Sequence, residues 1–267
     1  MKALPPKVRA FVETAPLPKP RSSPPHGAVA KDITPPVSAD STSAVVVGPQ
    51  LTGFMDGIEP TLRSTITRSM LLASLVAQQT AGGGPEKDAW YVAYKDALRS
   101  QGWSLGAEQQ RTYDAKSQKL DVHEAVIDFI TALGVGGPAY LLVVAALNAM
   151  KKVGDNQPWI TLFDRETHVE SVAGFNLAVV SDSSSPASDS NAVSMQLSNF
   201  NLHGSTALTQ VLFLKFQEMK LSISANGATC GISHDQLTAL QTPLTERLSA
   251  YVTDFIANVK LPPPPPK

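Results

Sequence analysis

Phe175-Asn176-Leu177-Ala178-Val179 is the stretch that decides the fold. Phe175, Leu177 and Val179 fall on one side of an extended chain and Asn176 and Ala178 on the other, a period of two where the apolar segments between Pro60 and Met150 follow a helical period. Val193, Met195 and Leu197 repeat the alternation beyond a serine-rich loop, Ser181 to Ser190. The apolar parity then passes to Phe200 and Leu202, which predicts a bulge near Ser198-Asn199. Val211-Leu212-Phe213-Leu214-Lys215-Phe216 is apolar on both sides and reads as a central strand. It continues through Met219, Leu221 and Ile223 to Asn226-Gly227, a dipeptide suited to a tight hairpin turn. Short links between such runs predict an antiparallel meander of three to five strands.

Working outward, the residues before the meander are helical. Pro60 suits a first helical position; Leu62, Ile66, Ala73 and Ala77 form an inner stripe, with Arg63, Thr67 and Gln78 facing water. Gly82-Gly83-Gly84-Pro85 ends that helix. A second starts at Glu86 with Trp90, Ala93, Tyr94, Ala97 and Leu98 on one face, and Gly102 ends it with Trp103 packed beyond. Residues 104–120 are polar, with a strand expected around Arg111 to Ala115. Asp121 begins a helix carrying Val122, Ala125, Val126, Phe129, Ile130 and Leu133; Gly134-Val135-Gly136-Gly137 breaks it. Pro138 restarts a helix that is apolar almost all round through Met150, a pattern for the centre of a fold or for lipid. Trp159 to Asp164 reads as a strand.

After the meander, Ser233-His234-Asp235-Gln236 reads as a capping box and Thr242-Pro243 as the start of a last helix. That helix carries Leu244, Leu248, Tyr251, Val252, Phe255, Ile256 and Val259. The class is α+β: N-terminal helices and a buried helical hairpin packed with the meander, closed by a C-terminal helix.

The 267 residues carry 22 basic and 23 acidic side chains, a net charge of −1, which gives no bulk attraction to nucleic acid. Ten of the 21 prolines fall in the first 50 residues, where the local charge is +3, and five more are Pro262 to Pro266. Residues 1–52 therefore read as a disordered, proline-rich basic arm, 53–261 as one globular α+β domain and 262–267 as a stiff tail. Pro16-Leu17-Pro18-Lys19-Pro20-Arg21 has the composition that docks in aromatic grooves of protein partners. One cysteine excludes an intrachain disulfide and a multi-cysteine zinc site. Met1 to Lys7 has no apolar core of a secretory signal, so the expected location is cytoplasmic, or exported without a cleaved signal.

The chemical motifs are sparse. Gly134-Val135-Gly136-Gly137-Pro138-Ala139 fits G-x-G-x-x-A, but the residues before it are helical where a dinucleotide site needs a strand. His123-Glu124 lacks the second histidine of a zinc-binding helix. Asp164, Glu166 and His168 would share one face of a strand, a polar edge in the simpler reading and an acid–base or metal trio in the sharper one. Ser205 has no nucleophile-elbow context, and Cys230 reads as a small buried hydrophobe. No catalytic, cofactor-binding or metal-ligating residue is assigned, and no small molecule is implied.

Two functions follow. The first is a non-enzymatic interaction or assembly protein, self-associating or binding protein partners, with proline-rich tethering ends and an open sheet edge. The alternative is a membrane-active protein, pore-forming or toxin-like, that inserts the 122–150 hairpin. Thirteen helical residues span only about 20 Å of a roughly 30 Å hydrocarbon core, and Asp128 would need neutralising. A charge at Leu142 is expected to separate a permanent core hairpin from a releasable one.

Overall fold

The computed structural model describes residues 3–21, 43–82, 88–113, 122–134, 137–152, 157–169, 172–183, 191–203 and 223–259. In chain order these form α1 (Pro6–Thr14), β1 (Ser43–Val47), β2 (Gln50–Phe54), α2 (Pro60–Ala81), α3 (Asp88–Ser100) and β3 (Ser104–Tyr113). Then come α4 (Val122–Ala132), α5 (Gly137–Lys152), α6 (Pro158–Thr167), β4 (His168–Val169), β5 (Val172–Asp182) and β6 (Ala192–His203). The last elements are β7 (Ile223–Ser233), α7 (His234–Leu248), α8 (Val252–Phe255) and β8 (Ile256–Asn258). The fold is α+β, with an eight-stranded mixed sheet ordered β3-β7-β6-β5-β2-β1-β8 and β4 added on β5. Among the described residues only β2 and β5 pair in parallel; β5, β6 and β7 form the expected antiparallel run.

Helices cover both faces of the sheet, so its strands are apolar on alternating sides for two separate cores. On one face Val45, Val47, Ala178, Val180, Val193, Met195 and Leu197 pack under α1, α2, α3, α7 and α8. On the other, Val46, Leu51, Phe175, Leu177, Val179, Phe200 and Leu202 pack under α4, α5 and α6. We call these the α2 face and the α5 face.

This two-sided burial explains why the expected bulge at Ser198-Asn199 is not there. Val172 pairs with His203 and Asp182 with Val193 in one unbroken register. The odd positions of β6 face α2 throughout and the even positions face α5. What changes at residue 198 is which face is apolar, because Asn199 and Asn201 are buried on the α2 face.

Asn226-Gly227 is likewise not a turn but the middle of β7, Asn226 opposite Asn199 and Gly227 opposite Ser198. The glycine serves close approach: a Cβ at 227 would sit 2.7 Å from both Leu133 methyls. Gly227→Ala is expected to cost about 1 kcal/mol and Gly227→Val more, since Leu133 must swing off the sheet. Thermal melts of the two variants check this; a neutral valine would show that the approach is not tight. The expected strand Val211 to Phe216, with Met219 and Leu221, lies outside the described residues.

Four other readings are corrected. Trp159 to Asp164 is helical, because Trp159, Ile160, Leu162, Phe163 and Thr167 bury at helical spacing after Pro158. Arg63 and Thr67 do not face water; α2 is buried on nearly all sides and both residues lie inside. The helix expected from Thr242 through Val259 starts earlier, at His234, capped by the Ser233 hydroxyl on Gln236 N–H, and stops at Leu248, with the short α8 after it. Ile256 then joins β8 beside β1 instead of continuing a helix.

The arm expected over residues 1–52 is ordered in its described parts. Val12 and Ala15 are buried, Leu4, Val8, Phe11 and Leu17 pack against the α2-face core, and β1 and β2 supply two central strands. Pro16 to Arg21 finds its aromatic partners within the chain. Tyr251 Oη donates to Pro18 O at 2.6 Å, and Arg21 lies 4.4 Å over the Phe255 ring while pairing with Glu166 at 2.7 Å. The Pro262 to Pro266 tail lies outside the described residues.

Candidate functional site

The α4–α5 hairpin and the sheet beneath it form the most unusual chemical surface of the molecule. In α4, Val122, Ala125, Val126, Phe129 and Ile130 recur at helical spacing and are buried on the sheet. Phe129 meets Phe200 edge-on at 5.6 Å, Phe200 stacks on Phe175 at 5.0 Å, and Phe175 meets Phe163 of α6 at 5.9 Å. A relay of four rings thus holds the helical layer to β5 and β6.

Gly134, at φ 76°, and Gly137, at φ 78°, adopt the left-handed conformations that let the chain reverse between α4 and α5. These glycines therefore join two helices, not a strand to a helix as a dinucleotide fingerprint requires. The Tyr140 and Thr131 hydroxyls, 2.9 Å apart, tie α5 to α4.

From Phe129 to Met150 there are 22 residues without a charge. Val143, Ala146, Leu147 and Met150 pack α5 onto the sheet. Much of the outward side is apolar as well: Leu141 is 64% exposed, with Ala145 exposed and Leu142 and Val144 half-buried around it, and Asn148 is the exposed polar side chain one turn further on. At 16 residues α5 is about 24 Å long, and α4 is shorter. Among the described residues no helix is long and apolar enough to cross a membrane. Asp128, the last charge before the uncharged stretch, pairs with Arg111 of β3 at 3.4 Å; both are about half exposed, so the pair is worth at most about 1 kcal/mol.

Beneath the hairpin the strands are amphipathic. Phe175, Leu177, Phe200, Leu202, Ile223 and Ala225 face α5, while directly behind them the α2 face is polar. Gln50, Asn176, Asn199, Asn226 and Gln110 stand opposite one another on five successive strands. Asn199 Nδ2 donates to Asn176 Oδ1 at 2.9 Å, Asn176 Nδ2 lies 3.5 Å from Gln50 Oε1, and Tyr94 Oη donates to the same oxygen at 2.7 Å. Burial, with Cys230 and Tyr91 adding to it, pushes the Tyr94 phenol well above its ordinary range, so it remains a donor. No sequence motif marks the row, because its members are one per strand and meet only through register.

The residues singled out in the sequence are dispersed. Asp164 and Glu166 lie two apart on α6, roughly 200° around the helix, and not on one strand face; His168 opens β4. The Glu166 carboxylate is held by Arg21 and Arg165, each within 2.8 Å. Cys230 is buried on the α2 face, and burial pushes its thiol up to about 12. Among the described residues no three His, Cys, Asp or Glu side chains converge as a metal site would require.

No family model matches the sequence, and no curated protein matches it by sequence. Among solved structures, the Evf virulence factor is similar at 12% identity and a TM-score of 0.41, over 83% of this chain and 87% of that one. A delta-endotoxin is similar at 12% identity and a TM-score of 0.39, over 81% and 91%. The activated Cyt2Ba monomer from Bacillus thuringiensis subsp. israelensis is similar at 10% identity and a TM-score of 0.29, over 68% and 96%. Likeness at this level assigns no activity.

Proposed function

We propose that the protein is membrane-active and that the 122–150 hairpin is its lipid-seeking element. The observation that carries this reading is that α5 carries apolar side chains on both sides, with Asn148 the one exposed polar residue between Leu141 and Met150. Its inner side completes a core, and its outer side presents Leu141, Val144 and Ala145 within a 22-residue uncharged stretch. A helix built only to cover a sheet needs one apolar stripe and a polar back. The hairpin is too short to span hydrocarbon as helices, so it lies in the interface, apolar side down, once it leaves the sheet. Its departure bares the α5 face of β5, β6 and β7, strands of 11 or 12 residues that alternate apolar with polar side chains over half their length. That length meets the 9–11 residues a tilted strand needs to cross a bilayer. The Arg111–Asp128 pair that ties α4 to β3 is half exposed and weak, and salt screens it further.

Leu141→Glu tests the reading. The residue is exposed, so the unfolding free energy is expected to change by no more than about 0.5 kcal/mol. Dye release from anionic liposomes, run at neutral and acidic pH, is expected to fall at least tenfold, because a carboxylate then stands where lipid must be. Unchanged release in the variant, or no release by the parent protein at any pH, contradicts the proposal. The interaction reading loses its best motif, since Pro16 to Arg21 is engaged by Tyr251, Phe255 and Glu166 of its own chain.

A further inference from the structure

The amide row reaches the end of the sheet at Gln110 of β3. Among the described residues β3 has β7 as its single strand neighbour, and its other edge carries an unpaired set of backbone donors and acceptors over ten residues. Natural sheets guard such edges with charge, and β3 has two charged residues, Glu108 and Arg111. Neither stands guard. Both Glu108 oxygens take Lys95 Nζ of α3 at 2.7 Å on the α2 face, and Arg111 pairs with Asp128 of α4 on the α5 face. Each charge is neutralised within the chain and drawn above or below the sheet. The last residue of the amide row, Gln110, is exposed at this edge.

From this geometry we infer that β3 is a self-association edge, which takes β3 of a second copy of this chain, antiparallel, with Gln110 opposite Gln110. The two-fold axis then passes through the sheet between the two Gln110 residues. The row Gln50-Asn176-Asn199-Asn226-Gln110 continues into its own mirror order, so each terminal carboxamide meets the donor–acceptor group it can pair with. The same register sets Glu108 opposite Thr112 and Gln109 opposite Arg111, with no like charges facing. Centring the axis on Glu108 or on Arg111 would oppose identical charges, which disfavours those registers.

Sedimentation velocity on the full chain, without lipid, reads the outcome directly. A dimer is expected to populate at tens of micromolar. Gln110→Lys, which sets two ammonium groups face to face, is expected to raise the dissociation midpoint at least about tenfold with an unchanged melting temperature. Gln110→Cys is expected to give a disulfide-linked dimer under mild oxidant, since opposed strand residues lie within disulfide reach. Gln109→Cys, which faces Arg111 in this register, is expected to give little. A monomer at 100 μM, a dimer indifferent to Gln110→Lys, or equal cross-linking at 109 and 110 each overturns the inference. None of these measurements involves a membrane, so failure here leaves the membrane reading to stand or fall on its own test.

Discussion

Arg63→Ala is expected to lower the unfolding free energy by about 3–5 kcal/mol, a large part of the 5–15 kcal/mol typical of a domain. The side chain has no exposed surface. Its Nε donates to Ile58 O at 2.8 Å, Nη1 to Ser43 Oγ at 2.8 Å and Nη2 to Met55 O at 2.9 Å. The guanidinium also lies 5.9 Å from the Phe54 ring centre. One planar fork thus pins the start of β1, the end of β2 and the turn into α2. Burial pulls its pKa below the usual value, and Asp56 nearby counters that, so the charge is retained. Truncation takes a donor from two carbonyls and a hydroxyl, the Ile58 carbonyl fully buried, and leaves a cavity the size of the lost side chain. Arg63→Lys is expected to recover little, because an ammonium cannot reach three acceptors in one plane. Urea titration reads the result as a lower midpoint at constant slope. A loss below 1 kcal/mol for the alanine variant would mean that the pin is dispensable.

That arginine also shows where sequence reading stops. The helical template was legible in Leu62 and Ile66, but it sorts residues by polarity and sends Arg63 to water. Its burial is offset by the Met55 and Ile58 carbonyls and the Ser43 hydroxyl, which only the folded chain brings to the guanidinium plane. The α4–α5 hairpin was legible for the opposite reason: Val122, Val126, Phe129 and the glycines at 134 and 137 are local signals, and the structure places helix, turn and helix there. The β6 alternation is legible, but its reversal at 198 reads as a bulge from sequence, because a strand buried on both faces by two layers has no single apolar parity. Asn226-Gly227 failed likewise. The dipeptide is a turn signal only if nothing needs to touch the glycine, and Leu133 does. Proline content makes residues 1–52 read as a disordered arm, while the hold on Pro18 and Arg21 depends on Tyr251, Phe255 and Glu166, more than 140 residues away. The amide row is the extreme case, five residues on five strands united by register alone.

Phe200→Ala is expected to cost about 3–5 kcal/mol and, unlike an equally costly change on the opposite face, to loosen the hairpin selectively. Phe200 is the middle of the ring relay, edge-on to Phe129 of α4 and stacked on Phe175 of β5. Losing the Phe129 contact removes about 0.5–1.5 kcal/mol beyond buried area, and the cavity weakens the rest of the α4–sheet contact. Opening of the hairpin therefore becomes at least about tenfold more frequent relative to the closed form. Met195→Ala is the control, because Met195 lies on the same strand but faces α2, and its truncation costs about 2–5 kcal/mol. Hydrogen exchange at low temperature, where both variants remain folded, should show faster exchange of residues 122–150 in Phe200→Ala alone. Liposome leakage should rise in the same variant and not in Met195→Ala. If both variants leak equally, global unfolding drives membrane attack and the hairpin has no separate role. If Phe200→Ala speeds exchange over 122–150 without raising leakage, the hairpin opens but lipid is not its destination.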